Sequence, residues 1–460
     1  SRWSTAACRP TAAWRRSTGI KSPKTPRRSR SGLASRRVSR HDNGMHLENP
    51  APLHSPEKLP FADCPDRHHT GAEKWDRYAD RRAADGREII PFWVADMDFR
   101  SPECVLAAIR QRTEHGVFGY THDTPAFAPT LTEHLRRQHG WAIDPAWVIG
   151  VPGIVSGLAV TARLLTAPGD GIASFTPVYP PFLFLPKLAE RRSVRLPLVA
   201  DPAAGRWAID WDDLEQTLAN DPRITLFWLC QPHNPTGSVF SRDELLRLAE
   251  VAERHNLTVI SDEIWCDLVL DDDSPHVPFA SLDHPAARRA VSFVAASKTW
   301  NIAGLGCAAA IVPDERLRKN WRAAGGGLVP MVNPLGYAAA EAAWREGDAW
   351  RRELIELLRV HRRLALDTVA DLPGVSCIAP QATYLLWLDC REWAAAQPAD
   401  RADPQQACEA AGIGPSDGRE FGSPGFLRLN LGCPTPRLEE GLRRLRQAFG
   451  SLATSAAVER

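Results

Sequence analysis

Three residues in this chain carry side chains whose chemistries complement one another. Asn234 lies in the string QPHNPTG, Asp262 in SDEIW and Lys298 in SKTWNIAGL, each just after an apolar run that reads as a buried strand. They are 28 and then 36 residues apart, a spacing that suits neighbouring strand–helix units. Ligands of open α/β sheets lie beyond the carboxyl ends of the strands, so this spacing brings an amide, a carboxylate and an amine to one edge. A fourth part is the turn in VIGVPGIVSGLAV, where Gly153 ends a strand and opens a helix over residues 154–165. The first N–H groups of that helix, at Ile154, Val155 and Ser156, have no partner within it and suit a phosphate.

These residues need a scaffold that holds strand ends in a row. From about residue 88 onward apolar runs alternate with amphipathic segments, the pattern of an α/β fold with a largely parallel sheet. Strands are expected at residues 147–150, 171–175, 224–229, 257–260, 290–294 and 307–312. Between them, a helix over 242–255 opens with Ser241 as N-cap and Glu244 three residues later. One long helical pattern spans 335–369, followed by a smaller α+β part with strands at 384–388 and 426–431 and a final helix over 438–449. We therefore expect a basic extension over 1–44, a segment over 45–97 packing between domains, a large domain over 98–340 and a small C-terminal domain over 341–460.

Composition sets outer limits. The chain has 460 residues, 44% hydrophobic and 24% charged, ordinary for a globular protein. It contains neither the roughly 18-residue apolar run of a membrane helix nor an apolar signal-peptide core, which points to a soluble, cytoplasmic protein without a membrane partner. Ten cysteines form no CxxC pair, and several lie in apolar runs, which suggests reduced, buried thiols. His68-His69 beside Cys64 and Asp66 lacks the ligand spacing of a zinc site, so no metal is expected. Residues 1–44 hold ten Arg and two Lys against Asp42 alone, yet have almost no apolar periodicity. With Met45 following at once, they read as a disordered or spuriously translated extension rather than a nucleic-acid-binding arm.

An amine that condenses with an aldehyde, a carboxylate that keeps a ring nitrogen protonated, an amide donor and a phosphate-binding helix end are the parts that pyridoxal phosphate requires. At this point the chain resembles the fold-type I pyridoxal-phosphate enzymes of the class I/II aminotransferase superfamily. Within it, the chain is most similar to the MalY/PatB family of cystathionine β-lyases and cysteine-S-conjugate β-lyases. Eight strings carry the resemblance in the family's order: PFWVADMDF, GVFGYT, TPVYPPF, QPHNPTG, SDEIW, SKTWNIAGL, TYLLWLDCR and FLRLNLGCP.

The resemblance implies a large domain with a mostly parallel sheet, a smaller α+β domain, and a site shared across a homodimer. It makes Lys298 the Schiff-base lysine and proton-moving base, Asp262 the partner of the pyridinium nitrogen, and Asn234 a donor to the ring oxygen. Tyr179 would stack on the ring, and Ile154, Val155 and Ser297 would hold the phosphate. Tyr120 would reach the phosphate of the neighbouring subunit and lie near the substrate. Arg428 would grip the substrate carboxylate, with Trp93 also on the substrate side. The implied reaction is carbon–sulfur β-elimination on a small sulfur amino acid such as L-cystathionine, giving homocysteine, pyruvate and ammonia, with a place in methionine biosynthesis. The alternatives are an aminotransferase and, less favoured, a regulatory protein on the same fold. Two positions depart from the superfamily's pattern: Trp265 stands where tyrosine or histidine is usual, and Gly306 where many aminotransferases carry a phosphate-binding arginine.

Overall fold

The computed structural model describes residues 61, 64–201, 203–325, 327 and 329–450. The basic extension over 1–44 lies outside them. The main sheet has eight strands: β1 (Val148–Val151), β2 (Gly171–Thr176), β3 (Arg192–Asp201), β4 (Arg206–Ile209), β5 (Ile224–Cys230), β6 (Thr258–Asp262), β7 (Val291–Val294) and β8 (Ala308–Ile311). Their spatial order is β1-β8-β7-β6-β5-β2-β3-β4. The run from β7 through β6, β5 and β2 to β3 is parallel, while β8 and β4 run against their neighbours. Helices on the sheet's faces bury its central strands, which explains their continuous apolar character. The expected α/β architecture is present.

A second sheet is antiparallel, with strands β9 (Ser376–Cys377), β10 (Leu385–Asp389), β11 (Ser416–Asp417) and β12 (Phe426–Asn430) in the order β9-β10-β12-β11. Six helices matter below: α1 (Phe127–His139), α2 (Ile154–Leu165), α3 (Arg242–Arg254), α4 (Pro334–Glu346), α5 (Asp348–Ala370) and α6 (Thr435–Phe449). The expected capping box of α3 is complete: Ser241 accepts from the Glu244 N–H and the Glu244 carboxylate from the Ser241 N–H. The continuous helix expected over 335–369 is instead two helices, α4 and α5, that meet at Gly347. There the indole N–H of the buried Trp300 donates to the Gly347 carbonyl at 2.9 Å, a bond made possible by the absence of a side chain at this close approach. Periodicity continues across the break because both helices bury an apolar face.

Residues 89–98 tie the two sheets together. Ile90–Pro91 pairs in parallel with Ile413–Gly414, the Phe92 carbonyl accepts from the Asn430 N–H, and the Met97 N–H donates to the Asn301 side chain. The segment is locked by Asp98, a fully buried carboxylate paired with Lys74 at 3.2 Å, Arg67 at 3.2 Å and Arg437 at 2.9 Å. Burial opposes its ionisation, but Lys74 and Arg437 outweigh burial and hold its pKa below the usual carboxylate range. Lys74 is itself fully buried, so Asp98→Ala strands a charge in the interior. We expect that change to cost about 3–5 kcal/mol, read as a lower urea midpoint with an unaltered slope. Among the described residues no helix is long and apolar enough to cross a membrane.

Candidate active site

Strands β5, β6 and β7 are adjacent, and the three residues that follow or end them converge on one cavity of about 170 Å³. Asp262 is the last residue of β6, while Asn234 and Lys298 lie in the turns after β5 and β7. Gly153, Ile154, Val155, Tyr179, Trp265 and Ser297 line the same cavity. Each of these elements ends at the same sheet edge, which is why residues distant in sequence meet there.

The Lys298 Nζ donates to the Ala95 carbonyl at 2.7 Å, and the Tyr384 hydroxyl donates to the same oxygen at 2.9 Å. The residue is only half-buried, yet protein atoms crowd its amine, and burial together with the Arg428 charge lowers its pKa to about 8 against the pull of Asp96 and Asp262. A substantial neutral fraction, the form that attacks a carbonyl, is therefore present near neutrality. Burial raises Asp262 to about 7, against the Ile264 N–H at 3.2 Å and Lys298. A cation placed beside this carboxylate would return it to the ionised form.

Arg428, in β12 of the second sheet, reaches across to Asn234. Its guanidinium donates to Asn234 Oδ1 at 3.0 Å, to the Trp93 carbonyl at 2.7 Å and to Ser416 Oγ at 3.2 Å, with the Phe421 ring centre 4.6 Å from Cζ. Every one of these acceptors is neutral, Nε has no partner among the described residues, and burial lowers the pKa to about 10. Among the described residues this buried cation makes no salt bridge, so the site has a standing preference for an anion. The bond to Oδ1 also fixes the Asn234 amide, leaving Nδ2 as the group's free donor.

The remaining expected residues differ in placement. Trp93 contributes its backbone carbonyl to Arg428, while its indole N–H is taken by the Lys74 carbonyl at 3.0 Å and its ring lies under Arg77. Tyr120 is outside the cavity and 97% exposed. Trp265 sits against the lysine, its ring centre 5.7 Å from Nζ and edge-on to Tyr384. Gly306 adopts the left-handed conformation at φ 54°, where an added Cβ would stand 3.0 Å from the Pro152 carbonyl oxygen. A larger side chain at this position is therefore strained. Sequence reasoning missed Ala95, Tyr384 and Ser416. Tyr384 offered a signal, being one of five tyrosines and lying in TYLLWLDCR.

The cavity fits a phosphorylated aromatic aldehyde such as pyridoxal phosphate. The N-cap Gly153 leaves the start of α2 without a capping side chain, and Asn234, Asp262, Ser297 and Lys298 line the same space. The sequence profile described as aminotransferase class I and II matches residues 87–445. The chain belongs to that family. It is 37% identical over 386 residues to the cystathionine beta-lyase PatB of Bacillus subtilis (strain 168), covering 83% of this chain and 97% of that protein. Among solved structures it is similar to OvoB, with 40% identity, a TM-score of 0.79, and coverage of 85% and 99% of the two chains. It is also similar to cystalysin from Treponema denticola, whose structure contains a pyridoxal 5'-phosphate cofactor, at 30% identity, TM-score 0.78 and coverage of 84% and 98%.

Proposed function

We propose that the protein is a pyridoxal-phosphate-dependent carbon–sulfur β-lyase that cleaves L-cystathionine or a related cysteine S-conjugate to a thiol, pyruvate and ammonia. The observation that carries this reading is a crowded, pKa-lowered lysine that shares its cavity with Asp262 and Asn234, together with a buried arginine that holds Asn234 and has no counter-ion among the described residues. An α-amino acid presents the complementary groups: a carboxylate for Arg428 and an α-proton within reach of an amine. The family relatives named for cystathionine β-lyase activity support the choice of substrate class.

Bound pyridoxal phosphate supplies an electron sink for the charge left when the α-proton departs. Lys298 would hold the cofactor and, once released, would take and return protons at its Nζ. Asp262 would pair with the ring nitrogen and keep it positive, and Asn234 Nδ2 would donate to the ring oxygen. The N–H groups of Ile154 and Val155 and the Ser297 hydroxyl would hold the phosphate, and Tyr179 would cover the ring face. Arg428 binds the substrate carboxylate and fixes the orientation of the Cα–H bond. The exposed aromatic and aliphatic side chains at Val117, Phe118 and Tyr120 support a homodimer in which Tyr120 serves the neighbouring site. We place the enzyme in the cytoplasm.

The pKa of Lys298 gives a direct expectation. The attacking form is the neutral amine, whose fraction grows as pH rises, so cofactor uptake by the apoprotein accelerates as pH passes through about 8 and levels above it. Stopped-flow absorbance of the bound cofactor reads this, and a rate that falls over the same range would count against the assignment. The function itself is tested by thiol release from a panel of cysteine S-conjugates. Failure of the cofactor-loaded protein to release thiol from any member of the panel would overturn the lyase reading.

A further inference from the structure

A second cavity, of about 370 Å³, lies away from Lys298, between the end of α1, the turn that follows β6 and the start of α5. His134 and His139 of α1 converge there on one carboxylate. His134 Nε2 lies 2.9 and 3.0 Å from the two oxygens of Asp267, and His139 Nε2 lies 3.2 Å from Oδ1. His134 and Asp267 are almost fully buried, while His139 and Asp267 line the cavity.

We propose that His134, His139 and Asp267 form a binding site for a divalent first-row cation of the Zn²⁺ class, distinct from the Lys298 cavity. Two imidazoles and a carboxylate make a borderline donor set suited to such an ion. In a tetrahedral site with bonds of about 2.1 Å the ligand atoms stand roughly 3.4 Å apart; each imidazole needs to move only a few tenths of an ångström from the Asp267 carboxylate, and all three ligand atoms already lie within 4.8 Å of one another. A second observation points the same way. His276 lines the same cavity, its ring centre is 5.2 Å from that of His139, and its fully buried Nδ1 has no hydrogen-bond partner among the described residues.

Charge does not oppose the ion. Arg351 and Arg352 at the rim are paired with Asp348, and Arg359 with Asp272 and Glu356. The fourth coordination position opens on the cavity, where water completes the set. A bound ion would pin the end of α1 to the turn that carries Trp265 and begins at Asp262, and so would stiffen one wall of the active site from behind.

The test uses the cofactor-loaded protein stripped of metal with a chelator and then titrated with Zn²⁺ and, separately, Co²⁺. The expected result is uptake of about one ion per chain, a visible Co²⁺ absorbance of low-symmetry type and a higher melting temperature with Zn²⁺. His139→Asn and His134→Gln are each expected to weaken affinity at least about tenfold while the cofactor absorbance is retained. His139 ends its helix, so His139→Asn is readable even if His134→Gln fails to fold. No uptake by the stripped wild-type protein, or equal uptake by wild type and His139→Asn, would overturn the proposal. Neither result bears on the lyase reading.

Discussion

Lys298→Ala lowers β-elimination by about three to four orders of magnitude, the combined loss of a covalent anchor and a positioned base. The expectation rests on what surrounds the amine. Tyr384 continues to donate to the Ala95 carbonyl when the lysine is removed, so that oxygen stays satisfied and the local fold has no reason to rearrange. The loss should therefore be chemical. Circular dichroism and the melting temperature should change little, while the cofactor's long-wavelength absorbance shifts because no amine holds it covalently. A variant with wild-type turnover and an unaltered cofactor spectrum would remove Lys298 from the reaction.

Arg428→Ala should reduce kcat/KM by about two to three orders of magnitude, as expected for the loss of the partner of a desolvated carboxylate. Among the described residues Arg428 has no counter-ion. A guanidinium bonded to Asn234 Oδ1, the Trp93 carbonyl and Ser416 Oγ, and pressed on Phe421, carries its charge into the interior without neutralisation. Deleting it relieves that burial cost, so the protein should not be greatly destabilised even as substrate recognition fails. Arg428→Lys should recover little, because a point charge cannot reproduce two parallel bonds to a carboxylate. Steady-state kinetics on L-cystathionine would read both changes, and a decrease of less than about threefold for Arg428→Ala would contradict the assignment.

The sequence made the row of strand ends readable because each functional residue follows a short apolar run, and adjacent runs become adjacent parallel strands. Asn234, Asp262 and Lys298 could be brought together by counting alone. The helix break at Gly347 could not, since it depends on the Trp300 indole, which lies on another element. The same holds for the carbonyl of Ala95. Backbone atoms carry no residue-type signal, and the one that positions Lys298 lies 203 residues away along the chain. The link between Arg428 and Asn234 spans 194 residues and two sheets, which is why family resemblance suggested a role for the arginine while local pattern did not. The His134, His139 and Asp267 cluster escaped for a similar reason. Its ligands come from a helix and a turn 128 residues apart, so no short metal-binding spacing exists to be read.

Trp265 and Gly306 are the positions where this chain departs from the superfamily's pattern, and the structure gives each a physical setting. Trp265 packs its ring against both Lys298 and Tyr384, and Gly306 holds a left-handed turn against Pro152. Neither carries a charge, so on the proposed reading the phosphate would fall to the start of α2 and Ser297.

The most direct measurement of the central claim is product formation by the pyridoxal-phosphate-loaded protein given L-cystathionine with no 2-oxo acid present. The lyase reading predicts pyruvate and homocysteine in equal amounts, accumulating with continued turnover. A strict requirement for a 2-oxo acid acceptor, with amino transfer as the only reaction, would contradict it.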